Sequence, residues 1–272
     1  MNIKTRNKVE EHLRDVMKRI LEKRTIQEPF NEEEIKNKNP FGYRLVPIEV
    51  WKGSKFERSF VTSLGQGIFE QIAKIIAEGS GAVAENQYVK TIRLNTWQIE
   101  KIDNILSMQR KQKNNSKLKD KNKKIKTINE ELEFLRELET DRYQEVQVLF
   151  DLYIKRNNGA EEYYSLKTVK PNLDQTENAK KDMLRLMTAE ENSEAYFALP
   201  YNPAGEDESY KSAHAIPYKL FDMDNDNNVL IGKRLWNKIG GDDNTYNELL
   251  DIFNTVGQEY ITKIKEEYLG IK

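Results

Sequence analysis

Two runs rich in Val, Ile, Leu, Phe and Tyr, QEVQVLFDLYIK (144–155) and EEYYSLK (161–167), flank the turn residues Asn157, Asn158 and Gly159. β-Branched and aromatic side chains suit a pleated, half-buried surface, and a short Asn/Gly connection closes two antiparallel strands. A β-hairpin is therefore expected here. Elsewhere the apolar period is helical. Phe60, Leu64, Ile68, Ile72 and Ile75 or Ile76 share a face before Gly79, Ser80 and Gly81 stop it, and a second helix is expected from Thr96 to about Gln109. After Pro171 and Asn172 a helix is expected near Asp174, with Ala179, Met183, Leu184 and Met187 on one side. AYFALPY (195–201) reads as a buried strand and NVLIG as a short apolar piece; RLWNKIG and the stretch from Tyr246 to about Glu267 read as helices. This order predicts an α/β fold, a mixed β-sheet flanked by helices with the hairpin at its centre.

At the start of the chain a helix is expected from about Val9 to Glu22, followed by a Pro- and Asn-containing stretch through Asn39 and Pro40 that interrupts any helix. The expected organisation is an N-terminal helix and arm over residues 1–40 and a main domain over 41–272. The charged N-terminus lacks the apolar run and cleavage site of a secretory signal, and no stretch is apolar enough to span a membrane. With no cysteines, disulfides, thiolate zinc sites and cysteine nucleophiles are excluded, which fits a cytoplasmic chain. Only two histidines occur, His12 and His214, so a catalytic metal would need to be a hard ion held by oxygen. The net charge of -1 conceals segregation, because the basic run 110–126, RKQKNNSKLKDKNKKIK, precedes the acidic stretch 129–141. Such a basic loop meets DNA phosphates if the fold aims it at them; otherwise it is a solvated loop.

Asp151 on the first hairpin strand faces Ser165 and Lys167 on the second in any register that pairs 151 with 165 or 167. A carboxylate that holds a divalent ion and a cation beside the attacking water are what phosphodiester hydrolysis requires. The same two side chains also suit a plain cross-strand ion pair. A third acidic feature, Asp222, Asp224 and Asp226, imitates a calcium loop, but Asn227 stands where glycine is needed and Lys233 where the bidentate glutamate belongs. It is expected to be an acidic surface turn.

The pattern Asp151, Ser165, Lys167 resembles the PD-(D/E)xK nuclease superfamily. The stretches ERSFVTSLGQGIFEQIAKIIAEG, SLKTVKPNLDQTENAKKDML, ALPYNPAGE and IGKRLWNKIGG, in order between Glu57 and Gly241, resemble the TdeIII-type restriction enzymes within it. The resemblance implies a restriction endonuclease-like core with a helical N-terminal elaboration. It also implies site-specific, Mg²⁺-dependent cleavage of double-stranded DNA to 5′-phosphate ends, a homodimer on a twofold site, and a cognate DNA methyltransferase in the same system. Short GC-rich palindromes of the GGNCC kind are the recognition sites it suggests. A structure-selective nuclease of the same fold and a non-catalytic DNA-binding protein are the alternatives.

In that pattern Asp151 is the metal-binding aspartate and Lys167 the catalytic lysine. Ser165 departs from it, since an acid normally stands two residues before the lysine and a neutral hydroxyl binds magnesium poorly. Some Ser-x-Lys enzymes take the missing carboxylate from the following helix, which points to Glu177, although a helix N-terminus favours a glutamate there in any case. Gln175 either positions the water or a phosphate, or caps the helix. Glu70 on the earlier helix is a further candidate for the metal shell, with Glu78 competing, and Lys170 is placed to meet a phosphate.

Overall fold

The Asn157–Gly159 turn closes a hairpin in the computed structural model, which describes residues 1–111 and 125–271. Gly159 adopts φ 86°, a left-handed conformation that a Cβ penalises, and its amide donates to the Arg156 carbonyl at 2.9 Å. Gly159→Val should therefore lower stability by about 1–2 kcal/mol; denaturant unfolding of the purified variant measures this.

The described residues form two compact units, Ala77–Thr245 and Met1–Ile76 with Tyr246–Lys272. The former carries a five-stranded mixed sheet in the order β1 (Val83–Asn95), β2 (Tyr143–Lys155), β3 (Glu161–Leu166), β4 (Glu194–Leu199), β5 (Val229–Ile231). The pairs β1–β2 and β2–β3 are antiparallel, and β3–β4 and β4–β5 are parallel. This is the expected α/β arrangement, a mixed sheet flanked by helices. A long helix (Leu173–Ala189) links β3 to β4, as parallel strands require a crossover. Its apolar residues Ala179, Met183, Leu184 and Met187 join Val148, Phe150, Tyr163 and Phe197 of the sheet in the main core. Helices at Thr96–Lys111 and Ile128–Arg136 add Ile102, Leu106, Leu132 and Leu135 to it.

β1 had no counterpart among the expected elements. It is an edge strand, and Asn86 and Lys90 interrupt the apolar series on its inward face while Glu85 and Arg93 lie on the exposed one, as charges commonly do on edges. The three acids at 222–226 differ from expectation only in part. The segment is a turn with Asp224 exposed as expected, but Asp226 is 2% exposed and its carboxylate accepts from the Ile128 and Asn228 amides at 2.8 and 3.0 Å, so this one acid is a buried backbone cap.

The second unit is helical, confirming the expected N-terminal helix as Ile3–Glu22, with Val9, Leu13, Val16 and Ile20 buried along one stripe. Within this unit Arg14 forms a bidentate pair with Glu259 of the helix Thr245–Lys263, at 2.8 Å for each of two contacts. The stretch around Pro40 is more helical than expected. Asn39 caps a short helix that Pro40 begins, its side chain accepting from the Gly42 amide at 3.0 Å, and a further helix covers Ile48–Ser63. The basic run 110–126 lies largely outside the described residues, which omit 112–124.

Candidate active site

β2 and β3 are paired from Lys155↔Glu161 up to Leu152↔Tyr164, and beyond that point they separate. β2 stays with β1 as far as Tyr143↔Asn95, whereas β3 follows β4 through Ser165↔Phe197 and Leu166↔Ala198, with the Lys167 amide donating to the Ala198 carbonyl at 2.9 Å. Asp151 and Ser165 are the first residues past the last shared pair, one on each prong of this fork. The register is thus one of those that set 151 opposite 165.

Across the fork, Lys167 Nζ donates to Asp151 Oδ2 at 2.6 Å, and both side chains are mostly buried. Among the described residues Asp151 Oδ1 receives only a long 3.4 Å contact, from Gln87 Nε2 of β1. Gln87 has φ 54°, the one positive value outside glycine among the described residues. On β2 the residues that enter the main core are Val148, Phe150 and then Tyr153, a step of three where alternation requires two. The core-facing alternation breaks between Phe150 and Tyr153, level with Gln87, while the register against β1 is the same on either side.

The remaining expected site residues are distributed differently. Ser165 is 1% exposed on β3. Gln175 closes a capping box at the start of the Leu173–Ala189 helix, its Oε1 accepting from the Asn172 amide at 3.0 Å while its own amide donates to Asn172 Oδ1 at 2.9 Å. Glu177, one turn on, is engaged by the guanidinium of Arg110, which also reaches Asp174 at 2.7 Å. Glu70 lies on the helix Phe69–Gly79 within the predominantly helical unit, whereas Glu78, on the last turn of that helix, falls in the unit that carries the sheet. Lys170 is exposed.

Asp182, further along the Leu173–Ala189 helix, escaped the sequence reading. Its Oδ2 accepts from the Leu149 amide of β2 at 3.4 Å, on the prong that β3 has left. Burial raises its carboxyl pKa, opposed first by that amide and then by the charges of Arg185 and Lys167. The only sequence signal for it would have been its spacing, and spacing does not reveal which strand edge lies beneath a helix.

The chemistry of the donors suits a hard divalent cation, since Asp151 offers carboxylate oxygens and its Oδ1 is loosely held. Among the described residues no three His, Asp or Glu side chains converge as a metal-binding group. Magnesium retains several of its waters and needs only one or two carboxylates, so the arrangement fits that ion.

The two resembling stretches ALPYNPAGE and IGKRLWNKIGG meet close by. Glu206 accepts from the Lys233 amide at 2.6 Å at the start of the helix Lys233–Gly240, and Trp236 Nε1 donates to the Pro200 carbonyl at 2.8 Å. A Cβ on Gly232 would lie 2.4 Å from a Glu206 carboxylate oxygen, so this glycine is required by the contact. These residues hold the loop after β4 in place.

The family model for the HinfI type II restriction endonucleases matches residues 5–257 of this chain. Among curated proteins, the type II restriction enzyme HgiEI of Herpetosiphon aurantiacus is 32% identical over 238 residues, covering 85% of this chain and 81% of that protein. HgiBI of the same organism is 29% identical over 283 residues, covering 97% of each chain, and HgiCII is 32% identical over 235 residues.

Proposed function

We propose that this chain, which belongs to the HinfI family of type II restriction endonucleases and is thus a site-specific deoxyribonuclease, hydrolyses the backbone of double-stranded DNA at the fork between β2 and β3. The observation that carries this reading is the convergence of Asp151 and Lys167, 2.6 Å apart where two strands diverge.

Asp151 would hold Mg²⁺ through its loosely engaged Oδ1. When bound, the ion polarises a nonbridging phosphate oxygen and favours hydroxide over water. Lys167 orients the attacking water and places a positive charge where the phosphorane gathers negative charge. Its amine is held there by Asp151, so the geometry precedes substrate. Ser165 contributes a neutral hydroxyl to the floor of the fork, whereas Gln175 is engaged in its capping box and Glu177 in its pair with Arg110. The products carry 5′-phosphate and 3′-hydroxyl ends. The protein acts in the cytoplasm as a homodimer on a twofold DNA site, with a cognate methyltransferase protecting the host sequence. Among the described residues no helix is long and apolar enough to cross a membrane.

Incubation of intact plasmid and phage DNA with the purified protein, with and without Mg²⁺, tests this. Discrete bands that require the ion, with 5′-phosphate ends at one short sequence, are expected. Cleavage confined to branched DNA would instead indicate a structure-selective nuclease.

A further inference from the structure

We propose that Asp182 is the second carboxylate of the divalent-ion site, supplying from the Leu173–Ala189 helix the acid that Ser165 lacks. This inference rests on the reading of Asp151 and Lys167 as the reaction centre.

Position is the first argument. The Leu149 amide, to which Asp182 Oδ2 is hydrogen-bonded at 3.4 Å, is only two residues before Asp151 on β2. It belongs to the stretch of strand that β3 no longer covers. The ammonium of Lys167, which binds Asp151 directly, also acts electrostatically on Asp182. One lysine therefore sits in the field of two carboxylates that arrive from different elements, a strand and a helix.

Partnership is the second. Asp182 is partly buried, yet among the described residues it has no ion-pair partner within 4.0 Å, and its hydrogen bond is long. Of its neighbours on the helix, Lys181 is paired with Asp103 at 2.7 Å, and Arg185, 4.0 Å from the same carboxylate, acts on Asp182 through its charge without a direct contact. A carboxylate withdrawn from water without a matching cation costs free energy, and sites that tolerate this cost are disproportionately functional. A divalent cation placed against Asp151 and Asp182 would offset it.

Exclusion of the rival is the third. Glu177 is tied to Arg110 on the Thr96–Lys111 helix, so recruiting it would break an existing pair. Residues 177 and 182 differ by five positions, about 140° around a helix axis, so they do not address the same spot. The helix presents one or the other to the fork, and the Leu149 contact identifies the one.

The test is Mn²⁺ binding to the full-length protein, followed by calorimetry into the millimolar range, alongside DNA cleavage. Asp182→Asn keeps an oxygen for the Leu149 amide and removes only the charge. We expect Asp151→Asn and Asp182→Asn each to weaken Mn²⁺ binding about ten-fold or more, and Glu177→Gln to bind as the native chain does. Asp182→Glu, which restores the charge, should recover part of the affinity, with unchanged melting temperatures establishing that all variants fold. If Asp182→Asn binds Mn²⁺ normally while Asp151→Asn does not, this inference fails and the reading beneath it stands. If Glu177→Gln loses the ion in its place, the acid has been misassigned. Normal binding by Asp151→Asn, or no binding by the native chain, overturns the ion pocket itself.

Discussion

Lys167→Ala should leave DNA bound and uncut, with cleavage reduced about 10²–10⁴-fold, the usual loss when a positioned acid–base or charge-stabilising group is removed. The lysine amine donates to Asp151 at 2.6 Å across the fork. Its removal takes away the cation that favours hydroxide at the phosphorus and stabilises the charge that develops there. Binding should change little, because affinity for duplex DNA is distributed over many phosphate contacts. Lys167→Arg should not rescue the activity, since a planar guanidinium cannot reproduce a compact ammonium inside a site this closely set. Single-turnover cleavage of plasmid, together with gel-shift binding in Ca²⁺, separates the two effects. Equal loss of binding and cleavage would assign Lys167 to phosphate anchoring and remove it from the chemistry.

A comparable effect on stability is expected at Lys180, which is fully buried on the helix Leu173–Ala189. Its ammonium lies 2.8 Å from Glu131 Oε2 and donates to Glu131 Oε1 at 3.0 Å, to Gln109 at 3.2 Å and to the Leu220 carbonyl. Burial pushes the Lys180 pKa down and the Glu131 pKa up, in each case outweighing the pairing that opposes it. Such a pair stabilises little by itself, yet breaking it strands a charge. Lys180→Met should therefore cost about 3–5 kcal/mol, and the double change Lys180→Met with Glu131→Leu should recover most of it.

The loss in the single variant should depend on pH. An acid whose folded pKa is raised above its unfolded value favours the folded state most while protonated, and that advantage declines as pH rises from the unfolded pKa. Glu131 without its lysine is such an acid, so Lys180→Met should be closest to the native protein near pH 4.5, the ordinary glutamate value, and fall away toward neutrality. Denaturant unfolding at a series of pH values measures both the size and the slope. A loss that is flat with pH would mean that Glu131 finds another partner.

Much of the main sheet was legible from local pattern. The Asn157–Gly159 turn between two β-branched and aromatic runs predicts the hairpin, AYFALPY predicts the strand beside it, and Pro171 with Asn172 marks the start of the helix that crosses between them. These signals are short in range, since turn chemistry, capping and period each act within a few residues. β1 was not legible, because an edge strand carries charges where a central one carries apolar residues. The helices between Glu32 and Ser63 were concealed by reading Pro40 as an interruption, when a proline at the first helical position begins a helix as readily as one ends before it.

Neighbours along the chain account for the hairpin and for the presence of Asp151 and Lys167 on its two strands. Long-range contacts account for the parting of β2 and β3 at Leu152, and for Asp182 lying against the Leu149 amide while Glu177 is held by Arg110. Burial made the same distinction at Asp226, which caps backbone amides inside the core while Asp224 stays at the surface. In every such case the physical reason is the same. Which strand edge is left unpaired, and which charge is withdrawn from water, are set by contacts between residues tens of positions apart, and no local period encodes them.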